Sequence, residues 1–273
     1  LEAYRSAFAA REPFTVECRL RRADGSYRWV LDTGLPRWAP GGAFAGYIGS
    51  CVDITERVFT ERRLTAQYSI ARILSEAPTL AEASPQILQT IGETLAWDWG
   101  ALWMLDRDDG LLRCVEIWHA PGIDAHALSE ASWRIRFGYG QGMPGQVWQR
   151  GESLWVEDIN REANFLRVAD TSALGLRGAF AVPIRLGASF LGAFEFFRRS
   201  THPLDDALLS GMTAIGRQIG QFTERIQTES ALRASEARYR TLVDAIPQIT
   251  WVMLPSGELE YLSQRWAEYT GRS

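Results

Sequence analysis

The chain has 273 residues, the size of one large domain or two ordinary ones, and its 46% hydrophobic and 23% charged residues are typical of a globular protein. A net charge of −4 gives it no basic field for nucleic acid, so no nucleic-acid partner is expected. All 29 basic residues are Arg, which excludes Schiff-base chemistry on a lysine and any P-loop lysine.

The first segment, residues 1–57, has the pattern of a short helix followed by three antiparallel strands. The strands are predicted at residues 14–22, 27–38 and 44–52. Asp53 follows the third strand and Glu56 lies three residues later, which is the spacing of a helix-capping pair. We therefore expect Asp53 to cap the next helix and to pair with Arg28 of a neighbouring strand.

Several motifs of this segment occur in a characteristic order: Phe14-x-x-Glu17-x-Arg19-Leu20-Arg21-Arg22, Arg28-Trp29-Val30, Gly46-x-Ile48-Gly49 and Asp53-Ile54-Thr55-Glu56-Arg57. Together they resemble the C-terminal half of a PAS domain. We assign Asp53 and Thr55, at the strand-to-helix junction, to signal relay. The cofactor stays unknown, because the residues of this half support neither haem nor flavin.

The middle segment, residues 58–226, is predicted to contain two helices, an antiparallel sheet and a long final helix, an α+β arrangement. Its strands are expected at residues 100–106, 111–119, 133–137 and 153–157, followed by a hairpin over 178–197. That last stretch is nearly apolar, yet it contains Pro183, Arg185 and Glu195. Charges are costly at membrane depth, so a buried hairpin is expected instead of a membrane span.

Four motifs of the middle segment belong together: Gly140-Gln141-Gly142-Met143-Pro144-Gly145-Gln146-Val147-Trp148, Gly151–Asp158, Gly178–Ile184 and Leu191–Phe197. They resemble a GAF domain, and the last helix is similar to the exit helix of GAF domains in PAS-rich bacterial sensor kinases. The resemblance implies an α+β fold: a GAF-type antiparallel sheet flanked by helices, with partial PAS-type segments at both ends and helical linkers.

The many aromatic residues of the middle segment allow either a ligand pocket or plain core packing. If a pocket for a small-molecule ligand exists, inward sheet positions should form its floor. The candidates are Trp103, Trp118, Phe137, Phe180 and Glu195.

The sequence gives little support to a bound cofactor or to enzyme activity. Cys114 is the single cysteine of the GAF-like segment and has no adjacent His, so covalent bilin is not expected. One cysteine also argues against sulfoxide reduction, which needs several close thiols. Asn160, Arg161 and Phe165 only partly match the signature of cyclic-nucleotide-binding GAF domains. We expect no catalytic residue and no metal site in this chain.

The final helix of the middle segment carries an apolar stripe with 4-3-4-3-4 spacing: Leu208, Met212, Ile215, Ile219, Phe222 and Ile226. Such a heptad seam favours paired helices, so it predicts a homodimer through the linker helices and a role for these residues in signal relay. The alternative is that the stripe packs on the sheet of its own chain.

The last segment, residues 227–273, is predicted to be a linker helix and the first part of a second PAS domain. The resemblance rests on Tyr239-Arg240-x-Leu242-Val243-x-Ala245-Ile246-Pro247 and on two short strands at 249–254 and 258–262. A helix is expected to follow them.

The three resemblances imply a cytoplasmic sensory and relay region of a two-component signal transduction protein, whose stimulus is a small molecule, redox change or light. The expected output domain lies beyond residue 273 and is a histidine kinase that acts on a response regulator. Membrane attachment outside this chain stays open. The alternatives are the sensory region of a diguanylate cyclase and, from a different class, a GAF enzyme that converts a small molecule.

Overall fold

The computed structural model describes residues 2–23, 25–162, 165–201, 204–245 and 248–271 of the chain. Its N-terminal segment is a short helix against a three-stranded antiparallel sheet. The elements are α1 (Glu2–Ala10), β1 (Phe14–Arg21), β2 (Tyr27–Trp38) and β3 (Phe44–Asp53), with the strand order β1-β2-β3. Tyr47 holds α1 to the sheet, because its hydroxyl donates to the Ala7 carbonyl oxygen at 2.7 Å.

The middle segment folds around one large antiparallel sheet. Its elements in chain order are α2 (Thr55–Glu76), α3 (Leu80–Leu95), β4 (Trp99–Leu105), β5 (Leu112–His119), α4 (His126–Arg134), β6 (Arg136–Phe137), α5 (Gly142–Arg150), β7 (Leu154–Val156), a 3-10 helix (Ile159–Arg161), α6 (Val168–Ala173), β8 (Gly178–Leu186), β9 (Ser189–Arg198) and α7 (Asp206–Ala245). The six strands follow the order β6-β5-β4-β9-β8-β7. The predicted α+β class, with an antiparallel sheet flanked by helices, is therefore confirmed.

The apolar stretch 178–197 forms the predicted hairpin. Strands β8 and β9 pair from Gly178 with Arg198 to Leu186 with Ser189. Within the described ranges, every helix is too short or too polar to span a lipid bilayer.

The predicted strand over 133–137 is wrong for most of its length. Residues 126–134 form α4, and only Arg136 and Phe137 pair with β5. Leu128 and Ser132 are both buried, and the Ser132 hydroxyl donates to the Leu128 carbonyl oxygen at 2.7 Å. This four-residue spacing is helical, and burial of its apolar face holds residues 126–134 in α4 instead of a strand.

The large sheet buries both of its faces, because successive side chains of a strand point to opposite sides. One side, the helix-covered face, packs Leu102, Phe180, Val182, Phe194 and Phe196 against α2, α3 and α7. The other side, the loop-covered face, packs Trp99, Trp103, Ala193 and Phe197 against α4, α5 and residues 156–176.

The apolar stripe of α7 lies inside the core of its own chain. Five of its members are buried on the helix-covered face: Leu208, Met212, Ile215, Ile219 and Phe222. Ile226 is partly buried beside them. The predicted use of these five side chains as an intermolecular seam is therefore corrected, because contacts within the monomer occupy them. The homodimer itself stays a prediction.

Helix α7 continues without a break past residue 226, so the boundary that the sequence placed there falls inside one 40-residue helix. It is followed by β10 (Trp251–Met253), β11 (Leu259–Leu262) and α8 (Gln264–Thr270). These elements lie within or beside the stretches predicted as strand, strand and helix. Ile246 and Pro247 of the quoted motif are outside the described residues.

Candidate functional site

The five predicted pocket residues do not share one face of the sheet. Trp103, Phe137 and Glu195 lie on the loop-covered face. Phe180 packs on the helix-covered face, and Trp118 reaches α3 there, close against Gly92. The prediction of one pocket floor from all five residues is wrong, because strand alternation sends Trp118 and Phe180 to the opposite side.

Glu195 occupies the centre of the loop-covered face and is fully buried. Its neighbours on the adjacent strands are Ala101 and Ala181, whose short side chains leave room above the sheet. The Trp103 indole N–H donates to Glu195 Oε1 at 2.9 Å. A carboxylate in an apolar core requires compensating partners, because its desolvation is expensive.

The principal partner of Glu195 is Arg167, a residue that the sequence reading did not select. Its side chain is only 3% exposed, and its guanidinium forms an ion pair with Glu195. Arg167 Nη1 also donates to Ser132 Oγ at 2.8 Å. An Arg in a polar stretch between strands normally lies in solvent, so no pattern in the sequence marked this one.

Aromatic rings surround the guanidinium of Arg167 on several sides. Its Cζ lies 5.2–5.9 Å from five ring centroids, those of Trp99, Trp103, Phe137, Phe165 and Phe197. These five rings with Glu195 are called the cation cage below. A cation over aromatic faces within about 6 Å is attracted by the ring quadrupoles, most strongly where water is excluded.

Burial perturbs the pKa of two titratable groups on the loop-covered face, Glu195 of the cage and Cys114 outside it. Burial raises the pKa of the Glu195 carboxyl above its usual range, and the adjacent Arg167 guanidinium opposes this shift without cancelling it. Burial also raises the pKa of the Cys114 thiol to about 12. Cys114 therefore lacks the thiolate character that a nucleophilic or redox cysteine needs.

The two ends of the segment that carries Arg167 are joined to each other. Asp158 accepts a hydrogen bond from Arg177 Nη2 at 2.5 Å, and this bond lowers the pKa of the Asp158 carboxyl. Between these ends, the Arg167 carbonyl oxygen accepts a hydrogen bond from Thr171 Oγ1 at 2.9 Å, within α6. Arg167 thus extends into the core from the N-cap position of the six-residue helix α6.

A second candidate region is the junction between the N-terminal sheet and α2. Asp53 Oδ1 accepts the Thr55 N–H at 2.9 Å. Hydrogen bonding with the Thr55 side chain, and then with its N–H, lowers the pKa of Asp53, and the charge of Arg28 adds to this effect. The N-cap position belongs to Ile54, not to the predicted Asp53, and its side chain makes no capping bond. Thr55 Oγ1 accepts the Trp29 N–H at 2.9 Å, so it bonds α2 to β2.

Helix α2 connects this junction to α7. Three polar contacts join the two helices: Arg63 Nη1 with Asp205 Oδ1 just before α7 at 3.5 Å, Gln67 Nε2 with the Gly211 carbonyl at 3.5 Å, and Arg225 Nη2 with the Leu74 carbonyl at 3.1 Å. Ile70, Ile73 and Leu74 pack in the same core as the α7 stripe. The N-terminal sheet is therefore connected by α2 to the helix that leaves the middle domain.

The family comparisons agree with this architecture. The chain belongs to the GAF domain family, whose profile matches residues 79–222, more than half of its length. The PAS fold family matches residues 1–51. The chain is thus a PAS fold followed by a GAF domain.

Curated relatives are sensors or proteins without an assigned role. The chain is 23% identical to the methyl sulfide methyltransferase-associated sensor of Methanosarcina acetivorans over 90% of its own length and 24% of that protein's. It is 32% identical to the peroxide stress-activated histidine kinase mak1 of Schizosaccharomyces pombe, over 32% of this chain and 5% of that one. It is also 51% identical over 65 residues to the uncharacterized protein y4lL of Sinorhizobium fredii, over 23% of this chain and 8% of that one. The chain therefore spans about a quarter or less of each of these relatives.

Solved structures share the fold at low sequence identity. The GAF domain of a phosphoenolpyruvate-protein phosphotransferase from Coxiella burnetii matches with a TM-score of 0.53 and 18% identity, over 63% of this chain and 98% of that one. The free methionine-R-sulfoxide reductase of Neisseria meningitidis, solved with its substrate, matches with a TM-score of 0.52 and 12% identity, over 61% and 91%.

Proposed function

We propose that this chain is the cytoplasmic sensory and signal-relay region of a two-component signal transduction protein, and that it forms the input part of a histidine kinase. A PAS fold followed by a GAF domain is a sensory arrangement, and the relatives named above include a sensor and a histidine kinase. Under this proposal the loop-covered face of the GAF domain receives a small-molecule stimulus, and a histidine kinase downstream phosphorylates a response regulator.

The observation that carries the relay is the uninterrupted connection from the PAS sheet to the end of α7. Thr55 bonds the start of α2 to β2. Arg63 of α2 then pairs with Asp205 just before α7, and Arg225 of α7 bonds to a carbonyl of α2. The first half of α7 packs on the GAF sheet, and the second half leads towards residues 248–271. A shift of α7 at the sheet would therefore reach both ends of this helix.

The kinase assignment is tested on the full-length protein with its output domain. We expect incubation with ATP to transfer the γ-phosphoryl group to a histidine side chain, which yields an acid-labile phosphoprotein and ADP. Formation of a cyclic dinucleotide from GTP without protein phosphorylation would instead identify the diguanylate cyclase alternative and refute the kinase.

The relay is tested at Thr55 with a matched pair of variants. Thr55→Val replaces the hydroxyl that accepts the Trp29 N–H by a methyl group of similar size, whereas Thr55→Ser retains the acceptor. We expect Thr55→Val to change the rate of phosphorylation in the full-length protein and Thr55→Ser to leave it near the parent value. Equal rates in all three proteins would show that this junction does not carry signal.

The second half of α7 supplies the surface for the proposed homodimer. Leu232, Tyr239 and Leu242 are 59%, 64% and 59% exposed, and they are spaced by seven and three residues, as in a heptad seam. A second copy of α7 would cover this stripe. Leu232→Glu should lower the mass measured by light scattering to that of a monomer, whereas Ala234→Glu, on another side of the helix, should not. A monomeric parent at every concentration refutes the dimer.

A further inference from the structure

The core of the GAF domain contains a buried ion pair, Arg167 and Glu195, whose net contribution to stability is expected to be small. Desolvation of two charges consumes most of their attraction, so an apolar pair of similar volume often gives equal or greater stability. The pair also satisfies Glu195 only in part. Oε1 accepts hydrogen bonds from Trp103 and Arg167, while the fully buried Oε2 has no hydrogen-bond partner among the described residues. An unused buried acceptor of this kind needs an explanation.

We propose that the cation cage is a binding site for a small organic cation with a guanidinium or ammonium group, and that Arg167 is a tethered internal ligand which such a molecule displaces. This inference rests on the proposed sensory function, for which it names the ligand class and the regulated element. The cage would bind the ligand by cation–π attraction to its rings and by the Glu195 carboxylate.

The chemistry of the cage selects for a cation with N–H groups. Trp99, Trp103 and Phe137 present aromatic faces to the present guanidinium, and Glu195 is the carboxylate that pairs with it. A free ligand is not restricted by the backbone of residue 167, so it can place one N–H on each carboxylate oxygen. A guanidinium forms such bidentate pairs with carboxylates, while a quaternary ammonium has no N–H to donate.

The element that would move is also visible in the structure. Arg167 stands at the start of α6, a helix of only six residues, and Leu166 beside it is 57% exposed. Short helices have little stability of their own, so α6 depends on contacts such as the one made by Arg167. Release of Arg167 would free α6 from the core, while the ion pair of Asp158 and Arg177 keeps the two ends of the segment joined to each other.

The binding site is tested with Arg167→Ala in the 273-residue chain. We expect methylguanidinium at millimolar concentration to raise the melting temperature of this variant, and methylurea, its neutral analogue, to leave the melting temperature unchanged. The added Glu195→Gln substitution should remove the preference for the cation. If Arg167→Ala does not fold alone, folding in methylguanidinium and not in methylurea is the expected result. Equal responses to both compounds, or no response, would overturn the site.

The displacement is tested on the unmodified chain with n-propylguanidinium, which copies the end of an Arg side chain. We expect faster amide hydrogen exchange at residues 165–176 and unchanged exchange in β8 and β9. Tetramethylammonium should bind at least tenfold more weakly. If n-propylguanidinium saturates the Arg167→Ala variant but leaves amide hydrogen exchange in the parent unchanged, Arg167 is a fixed structural residue and the displacement is refuted.

These measurements need no output domain, so their failure is distinct from failure of the kinase assignment. If the cation binds and α6 is released in a protein that shows no kinase activity, the proposed cation site stands and only the kinase assignment is refuted. Phosphorylation in a protein whose cage binds none of the three cations would refute only the site.

Discussion

Alanine substitutions at two glycines of α7 separate the helical propensity of this helix from its packing on the GAF sheet. A Cβ at Gly220 would lie 2.2 Å from the Arg185 carbonyl oxygen of β8, whereas ordinary contacts begin near 3.4 Å. A Cβ at Gly211 would meet only the Gln67 amide nitrogen, at 3.3 Å, on a flexible side chain. The two positions therefore share a helix and differ in what the added methyl group touches.

The expected free energies have opposite signs. Alanine gains about 1 kcal/mol over glycine inside a helix, and at Gly211 most of this gain should appear as added stability. At Gly220 the helix and β8 must separate by roughly 1 Å, and overpacking of a core costs about 1–3 kcal/mol. The obstacle is a backbone oxygen that cannot rotate away, so we place the cost in the upper part of that range and expect a net loss of about 1–2 kcal/mol.

The assay is thermal unfolding of the two variants beside the parent chain. A change of 1 kcal/mol moves the melting temperature of a domain of this size by about 2–4 °C. Gly211→Ala should therefore melt about 2–4 °C above the parent, and Gly220→Ala should melt below the parent. A melting temperature of Gly220→Ala at or above that of Gly211→Ala would refute the close approach of α7 to β8.

Three further outcomes follow from the described contacts. Thr55→Val should lower the unfolding free energy by about 1 kcal/mol, because it leaves the Trp29 N–H without its acceptor, while Thr55→Ser should not; equal calorimetric stability of the two variants contradicts this. Hydrogen bonding to Thr55 lowers the pKa of Asp53 in the folded state, so its contribution is present above the unfolded pKa of about 3.9 and is lost as pH falls through the folded pKa. Asp53→Ala should therefore lower the melting temperature at pH 7 but much less near pH 3, and a constant difference would refute the ionic role. Iodoacetamide at pH 8 should label the exposed Cys51 well before Cys114, whose pKa is about 12, as peptide mass spectrometry can show.

The elements of the fold could be predicted because their signals are local. Gly and Pro mark the turns, and the alternation over eight residues marks strand β1. Together with the family motifs, these patterns were sufficient for the order of helices and strands and for the α+β class. The hairpin over 178–197 was identified for the same reason, since its charged residues and central glycine lie within one short stretch.

The composition of the candidate site could be predicted only in part. Trp103, Phe137 and Glu195 share a face, while Trp118 and Phe180 belong to the other side of the sheet. A strand pattern shows that residues alternate, but when both faces are buried and apolar it does not show which residues meet. Arg167 was missed because it is brought to Glu195 across 28 residues by the fold, and an arginine in a polar loop carries no local sign of burial.

The sequence by itself determined which residues of α7 are apolar and their heptad spacing, but the tertiary structure decided what that stripe packs against. An apolar stripe on a helix gains the same burial from the sheet of its own chain as from a second helix, so spacing cannot separate the two. The glycines at 216 and 220 favour the sheet, because they let α7 approach the carbonyl oxygens of Pro183 and Arg185. Such a close approach depends on the shape of both surfaces, which exists only once the chain has folded.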